Sequence, residues 1–251
     1  MGKKLQAVSS QLSAKKLIIM NACIIAMFLF GAAFDTGANG AEQGKAVTPG
    51  ASKNNSSGAG VDDDVSKTVA DLQKRFSEIK DLKGSFIQKS YIKDLEDTQE
   101  YAGTFFIRKP SSMMWEYAAP RDEKVLINGQ ETWIYKKSEN QVIKTRFTRK
   151  EYSQVPIALL AGLENISDEF DITVPEKNAL QLIPKKKTGF IRYLVLETGN
   201  GSMPVKMFTI FDTYGNIIMI ELKDVQTNPG LEDSLFTFTV PPGAEVYDMS
   251  D

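Results

Sequence analysis

Histidine is absent from this 251-residue chain and cysteine occurs once. Those two scarcities exclude more than any residue that is present. A Ser-His-Asp or Cys-His catalytic centre, a His-ligated zinc, a Cys-ligated iron–sulfur cluster and an intramolecular disulfide all need side chains that are missing. Catalysis would have to rest on Asp, Glu, Lys, Tyr or Ser. An excess of positive charge is missing too: Lys+Arg number 30 and Asp+Glu 32, without the basic surplus that a nucleic-acid-binding domain carries. There is no phosphate-binding glycine loop, no heptad pattern and no internal repeat. What remains is 42% hydrophobic and 10% aromatic, enough for one compact domain and its extras.

The one long apolar run, Leu17 to Phe34, follows Lys3, Lys4, Lys15 and Lys16 and leads into small and polar residues around Ala33 and Ala38 to Ala41. Basic, apolar, then small and polar is the order of a secretory signal, so residues 1–41 are expected to direct export, with cleavage between 33 and 41. An uncleaved anchor is the alternative, although the run is short for a span and Asn21 interrupts it. Cys23 lies inside the run, so cleavage leaves a protein without thiols. Residues 42–61 are rich in Gly, Ser and Asn and read as a flexible tether. The remainder, 62–251, holds 24 basic and 30 acidic residues and forms the domain.

Asp62, Asp63 and Asp64 favour the N-terminal end of a helix dipole, and Val65, Val69, Leu72, Phe76 and Ile79 recur on one helical stripe. Strand-like runs follow: GSFIQKSYI, EYAGTFFIRKP, SMMWEYAAP, KVLINGQETWIYKK and QVIKTRFT, with Asn128-Gly129 as the strongest hairpin signal. A second helix, too apolar for a solvent-facing surface, is expected from Pro156. Strands resume with DITVPE, ALQLIPK, GFIRYLVLET, PVKMFTIFDTYGN, IIMIELKDVQT and SLFTFTVPPG. Roughly ten short strands and two helices predict a mainly β fold: an antiparallel, strongly curved sheet or unclosed barrel covered by helices, with an interior that packs solid or holds an apolar ligand.

The stretch GTFFIRKPSSMMWEYAAPRDEKVLINGQETWIYKK, residues 103–137, resembles the signature region of the outer-membrane lipoprotein carrier family, LolA. Gly103, Lys109-Pro110, Met113, Trp115, Pro120, Gly129, Trp133 and Tyr135 fall on that family's pattern without gaps, and the likeness extends from FIQK to FTFTVPPGAEVYD. It implies an unclosed β-barrel lidded by helices that carries lipoprotein acyl chains across the periplasm of a Gram-negative type of bacterium. It further implies a monomer loaded by an inner-membrane transporter and unloaded to an outer-membrane acceptor, with no cofactor, metal or catalytic residue. The acyl chains would meet Phe86, Phe105, Ile107, Met113, Trp115, Trp133, Ile157 and Leu160. Such residues, and also Phe190, Phe208, Phe211 and Phe236, more often form plain core; the resemblance is what favours a cavity.

The family usually places Arg directly before the Pro, where it holds the lid by hydrogen bonds to carbonyl groups; here the order is Arg108-Lys109-Pro110. Alternation puts Phe105, Ile107 and Lys109 on one face of a strand. Lys109 is therefore expected to take the latch position and Arg108 to point outward, although Lys lacks the guanidinium fork. Two other readings stand beside the carrier. One is a lipid-sensing regulatory module on the same fold. The other is a serine penicillin-binding or β-lactamase-like enzyme, suggested by Ser77-x-x-Lys80, Ser138-x-Asn140 and Lys187-Thr188-Gly189. Against the enzyme, Ser77 falls at the tail of a helix, Ser138 falls in a hairpin turn, and the helical half of such enzymes is missing.

Overall fold

The computed structural model describes residues 59–146, 166–186 and 191–250. Its first element is α1 (Ala59–Ser77), and six strands follow as a meander: β1 (Asp81–Ile92), β2 (Asp97–Arg108), β3 (Ser112–Tyr117), β4 (Glu123–Asn128), β5 (Glu131–Lys136) and β6 (Gln141–Arg146). A single turn, α2 (Ile166–Glu169), opens a second meander: β7 (Phe170–Glu176), β8 (Ala179–Pro184), β9 (Ile191–Thr198), β10 (Val205–Asp212) and β11 (Ile217–Thr227). The last strand is β12 (Glu245–Met249).

All twelve strands form one sheet in the order β12-β6-β5-β4-β3-β2-β1-β11-β10-β9-β8-β7. The two meanders join where β1 pairs with β11, and β12 and β7 are left as edges, so the sheet does not close. The hairpins are set by local chemistry. Gly129 sits at φ +64 with open space around it, and Asp212 Oδ1 accepts from the backbone N–H groups of Tyr214 and Asn216, both at 2.8 Å, which folds the β10–β11 turn.

One face of the sheet carries most of the apolar core. Leu82 and Phe86 on β1, Phe105 and Ile107 on β2, Trp115 on β3, Ile134 on β5, Leu180 on β8 and Leu222 on β11 share a single buried cluster with Val69, Leu72 and Phe76 of α1. The helical stripe thus buries against the inner face, which at about 25 cal/mol per Å² of apolar surface stabilises the element far beyond its own propensity.

Two expectations need correction. The sheet is not wholly antiparallel, because β12 pairs with β6 in parallel. SLFTFTVPPG is not a strand: Asp233–Phe236 is a 3₁₀ turn, and Thr237 to Pro241 run without ladder pairing. Its alternation is real, with Phe236 buried and Phe238 stacked on Trp133 at 5.1 Å. The segment crosses the outer face of β3 and β4, whose backbone groups are already paired with their neighbours in the ladder. The structure also begins α1 at Ala59, three residues before Asp62.

Candidate functional site

The inner face of β1 to β3 carries a continuous row of rings. Phe105 stacks on Trp115 at 5.4 Å, Trp115 on Phe86 at 4.0 Å, Phe86 meets Tyr117 edge-on at 5.2 Å, and Tyr117 meets Tyr101 edge-on at 6.1 Å. Strand pairing builds the row. Phe105 lies opposite Trp115 across β2 and β3, and Phe86 lies opposite Gly103 across β1 and β2. A Cβ on Gly103 would come within 2.7 Å of the Phe86 ring and 2.1 Å of Glu116 O. The glycine of the motif is therefore the space in which Phe86 lies. Ile107 and Met113 are buried in the same cluster, so five of the eight expected lining residues come together.

Trp133 stands elsewhere. Trp115 lies opposite Val125 and Val125 opposite Ile134, so Ile134 shares the inner face and Trp133, one residue away, faces outward. There it stacks with Phe238 and lies under Lys144 Nζ at 5.0 Å. Ile157, Leu160 and Phe190 lie outside the described residues. Of the other rings weighed, Phe208 is in the inner core, Phe211 stacks on Tyr193 at 4.3 Å, and Phe236 is buried beneath Arg108 at 4.9 Å.

The pair Arg108-Lys109 divides between the faces. Lys109 Nζ donates to Phe76 O at the C-terminal end of α1, and its backbone N–H donates to Lys80 O at 2.9 Å. Arg108 pairs with Asp233 and donates to Leu231 O at 3.5 Å, holding the C-terminal segment on the outer side. Sequence reasoning missed a third cation. Arg75, on the flank of α1, donates to Gly199 O at 3.1 Å and Gly201 O at 2.5 Å in the β9–β10 turn. Lysine and arginine near a helix end ordinarily read as solvated, so only the fold shows that α1 is tied to the sheet at two places.

Beyond Tyr117 the inner face becomes polar. Tyr117 donates to Gln88 Oε1 at 2.9 Å, and Gln88 Nε2 donates to Ser90 Oγ at 2.9 Å, with all three buried. The Arg121 guanidinium lies 4.0 Å from the Tyr117 ring and 5.3 Å from that of Tyr101. It pairs with Glu123 at 3.0 Å, the two side chains 9% and 7% exposed. Burial pushes the Tyr117 hydroxyl well above its ordinary pKa and Tyr101 upward as well, in both cases against the Arg121 charge. Sequence reasoning passed over this cluster because Arg121 and Glu123 follow a turn proline and read as surface.

The fragments that suggested an enzyme are not assembled among the described residues. Ser77 Oγ donates to Lys74 O at 2.7 Å, Ser138 lies in the 3₁₀ turn between β5 and β6, and Lys187 to Gly189 lie outside the description. No group of three or more metal-ligating side chains occurs among the described residues.

Residues 77–239 match the family model described as outer membrane lipoprotein carrier protein LolA. An outer-membrane lipoprotein carrier protein of Alkalilimnicola ehrlichii is 27% identical over 182 residues, covering 72% of this chain and 84% of that protein. One of Cupriavidus pinatubonensis is 29% identical over 182 residues, covering 70% and 84%. A solved LolA-superfamily structure from Nitrosomonas europaea aligns with a TM-score of 0.41 and 10% identity, over 69% of this chain and 97% of that one.

Proposed function

Since this chain belongs to the outer-membrane lipoprotein carrier family, LolA, we propose that it is a periplasmic carrier that shields the acyl chains of lipoproteins between the inner and outer membranes and performs no covalent chemistry. The observation that carries this reading is the ring row on the inner face, built by the same strands that bear the family motif. An acyl chain of about 16 carbons gains roughly 0.8 kcal/mol per buried methylene, so about 12 kcal/mol separates it from water. Spontaneous escape on that scale is negligible. That scale is compatible with what the family resemblance implies, loading by an inner-membrane transporter and unloading to an outer-membrane acceptor.

In this reading the chain works as a monomer and α1 acts as a lid whose lifting uncovers the rings; the other expected lid, from Pro156, lies outside the described residues. Phe86, Phe105, Ile107, Met113 and Trp115 form the acyl cradle, to which the family resemblance adds Ile157 and Leu160. Lys109 is the latch. Trp133, on the outer face, lies away from the chains.

The two Trp of the chain provide the test. With brominated acyl chains at stoichiometric loading, Trp133→Phe, which keeps only Trp115, is expected to be quenched. Trp115→Phe, which keeps only Trp133, is expected to stay bright. Quenching confined to Trp133 would move the site to the outer face, and quenching of neither while binding is shown by mass spectrometry would empty the proposed cradle.

A further inference from the structure

The inner face is graded. At the Phe105 end its side chains are hydrocarbon, and at the Tyr101 end they are hydroxyl, amide, guanidinium and carboxylate. A pure hydrocarbon ligand has no use for the second end. Two features of that end point to a ligand group of a definite kind. Hydrogen-bond donors are in surplus: among the described residues Arg121 donates only to Glu123, and Trp115 Nε1, in a side chain 1% exposed, meets no acceptor at full hydrogen-bond geometry and has only a weak contact with the Tyr117 hydroxyl. Charge is not in surplus, because Glu123 cancels Arg121 at 3.0 Å.

We propose that the Arg121, Glu123, Tyr117 and Tyr101 end of the inner face is a head-group site for the neutral, carbonyl-bearing end of an acyl ligand, an ester or an amide, and that it discriminates against acyl ligands ending in an anion. The inference rests on the carrier reading and fixes the polarity of the cargo and its direction in the interior. An ester carbonyl accepts from the remaining guanidinium N–H groups, or from Trp115 along the row, and brings no charge with it. A carboxylate or phosphate would arrive beside Glu123, with the guanidinium already neutralised. Its lost hydration would go uncompensated in a water-poor site. The hydrocarbon tail then runs from Tyr117 past Phe86 and Trp115 toward Phe105 and Ile107, so the polar linkage lies at one end of the row and the methyl end near the Lys109 latch. Glu123 is thereby a specificity determinant: it converts what would be an anion-binding arginine into a neutral donor.

The folded protein, loaded with N-phenyl-1-naphthylamine, would be titrated at pH 8 with monoolein and with oleate, which share one chain and differ in the head group. Monoolein is expected to displace the dye at a concentration about tenfold or more below oleate, a difference set by the cost of leaving a buried anion unpaired. Glu123→Gln leaves the Arg121 charge free, so the preference for monoolein over oleate should fall about tenfold or more. Arg121→Gln with Glu123→Gln should bring the two lipids closer together. Equal displacement by both lipids in the unaltered protein overturns the inference, as does a folded Glu123→Gln variant that keeps the original ratio. The ratio in the unaltered protein needs no variant and stands as a test even if Glu123→Gln does not fold. Failure of the carrier reading looks different: neither lipid displaces the dye and Trp115 is silent toward brominated chains.

Discussion

Lys109 and Arg108 are adjacent in sequence and reach to opposite faces of the sheet. Lys109 grips Phe76 O on α1, and Arg108 grips Asp233 and Leu231 O on the C-terminal segment. A hydrogen bond from a charged donor contributes roughly 1.5–3 kcal/mol, so Lys109→Met is expected to shift α1 toward release by about tenfold or more. That shift would appear as binding of a dye to exposed apolar surface and as slower acceptor-dependent release, with the overall fold retained. Lys109→Arg should preserve or strengthen the latch, and Arg108→Met should leave it unchanged. A larger defect in Arg108→Met than in Lys109→Met would assign control of the interior to the C-terminal segment instead. Gly103 makes a different kind of prediction. An added methyl meets Glu116 O and the Phe86 ring well inside contact distance, so Gly103→Ala should cost about 1–3 kcal/mol, read as a lower denaturant midpoint. A neutral result would mean that the β2–β3 backbone yields there.

At the scale of elements, α1 joins the sheet by its apolar stripe and by charged donors at two separate places, Lys109 from the end of β2 and Arg75 reaching the β9–β10 turn. Arg75→Gln removes the second tie. The expected result is faster amide hydrogen exchange in α1 by about tenfold, with the strands unaffected, since the two carbonyls lie at the surface and the loss is about 1–2 kcal/mol. Faster exchange throughout the sheet would show instead that α1 and the sheet unfold as one unit. The C-terminal segment shows how an element can be right in pattern and wrong in kind. Phe236 and Phe238 alternate as in a strand, and both meet the outer face. A ladder needs a free edge, however, and this segment lies flat across strands that have none. One of the two edges lies beside β6, and there the chain forms β12 in parallel.

At the scale of the molecule, an open sheet with its apolar face toward α1 puts hydrocarbon inside and an acidic exterior outside. The basic and apolar N-terminal residues contrast with this exterior, and they predict a mature chain that starts between Phe34 and Glu42, dissolves freely and has no cysteine. Intact mass of exported protein tests this. A full-length chain that sediments with membranes would instead mean a tethered carrier.

The mainly β class, the amphipathic first helix, the hairpin at Asn128-Gly129 and the family membership were all legible in the sequence, because alternation, helical spacing and turn chemistry are local. Alternation also put Phe105, Ile107 and Lys109 on one face, which is the face they share. The placement of Trp133 was not legible: both Trp lie in equally apolar strands, and only the pairing of Val125 with Ile134 decides that Trp133 turns outward. Nor was the Arg75 tie, which spans 124 residues to Gly199, or the neutralised Arg121, which reads as solvent-facing until the sheet buries it with Glu123 and Tyr117. These were decided by tertiary structure, because a charged side chain carries no sequence signal for the partner that a distant strand brings to it.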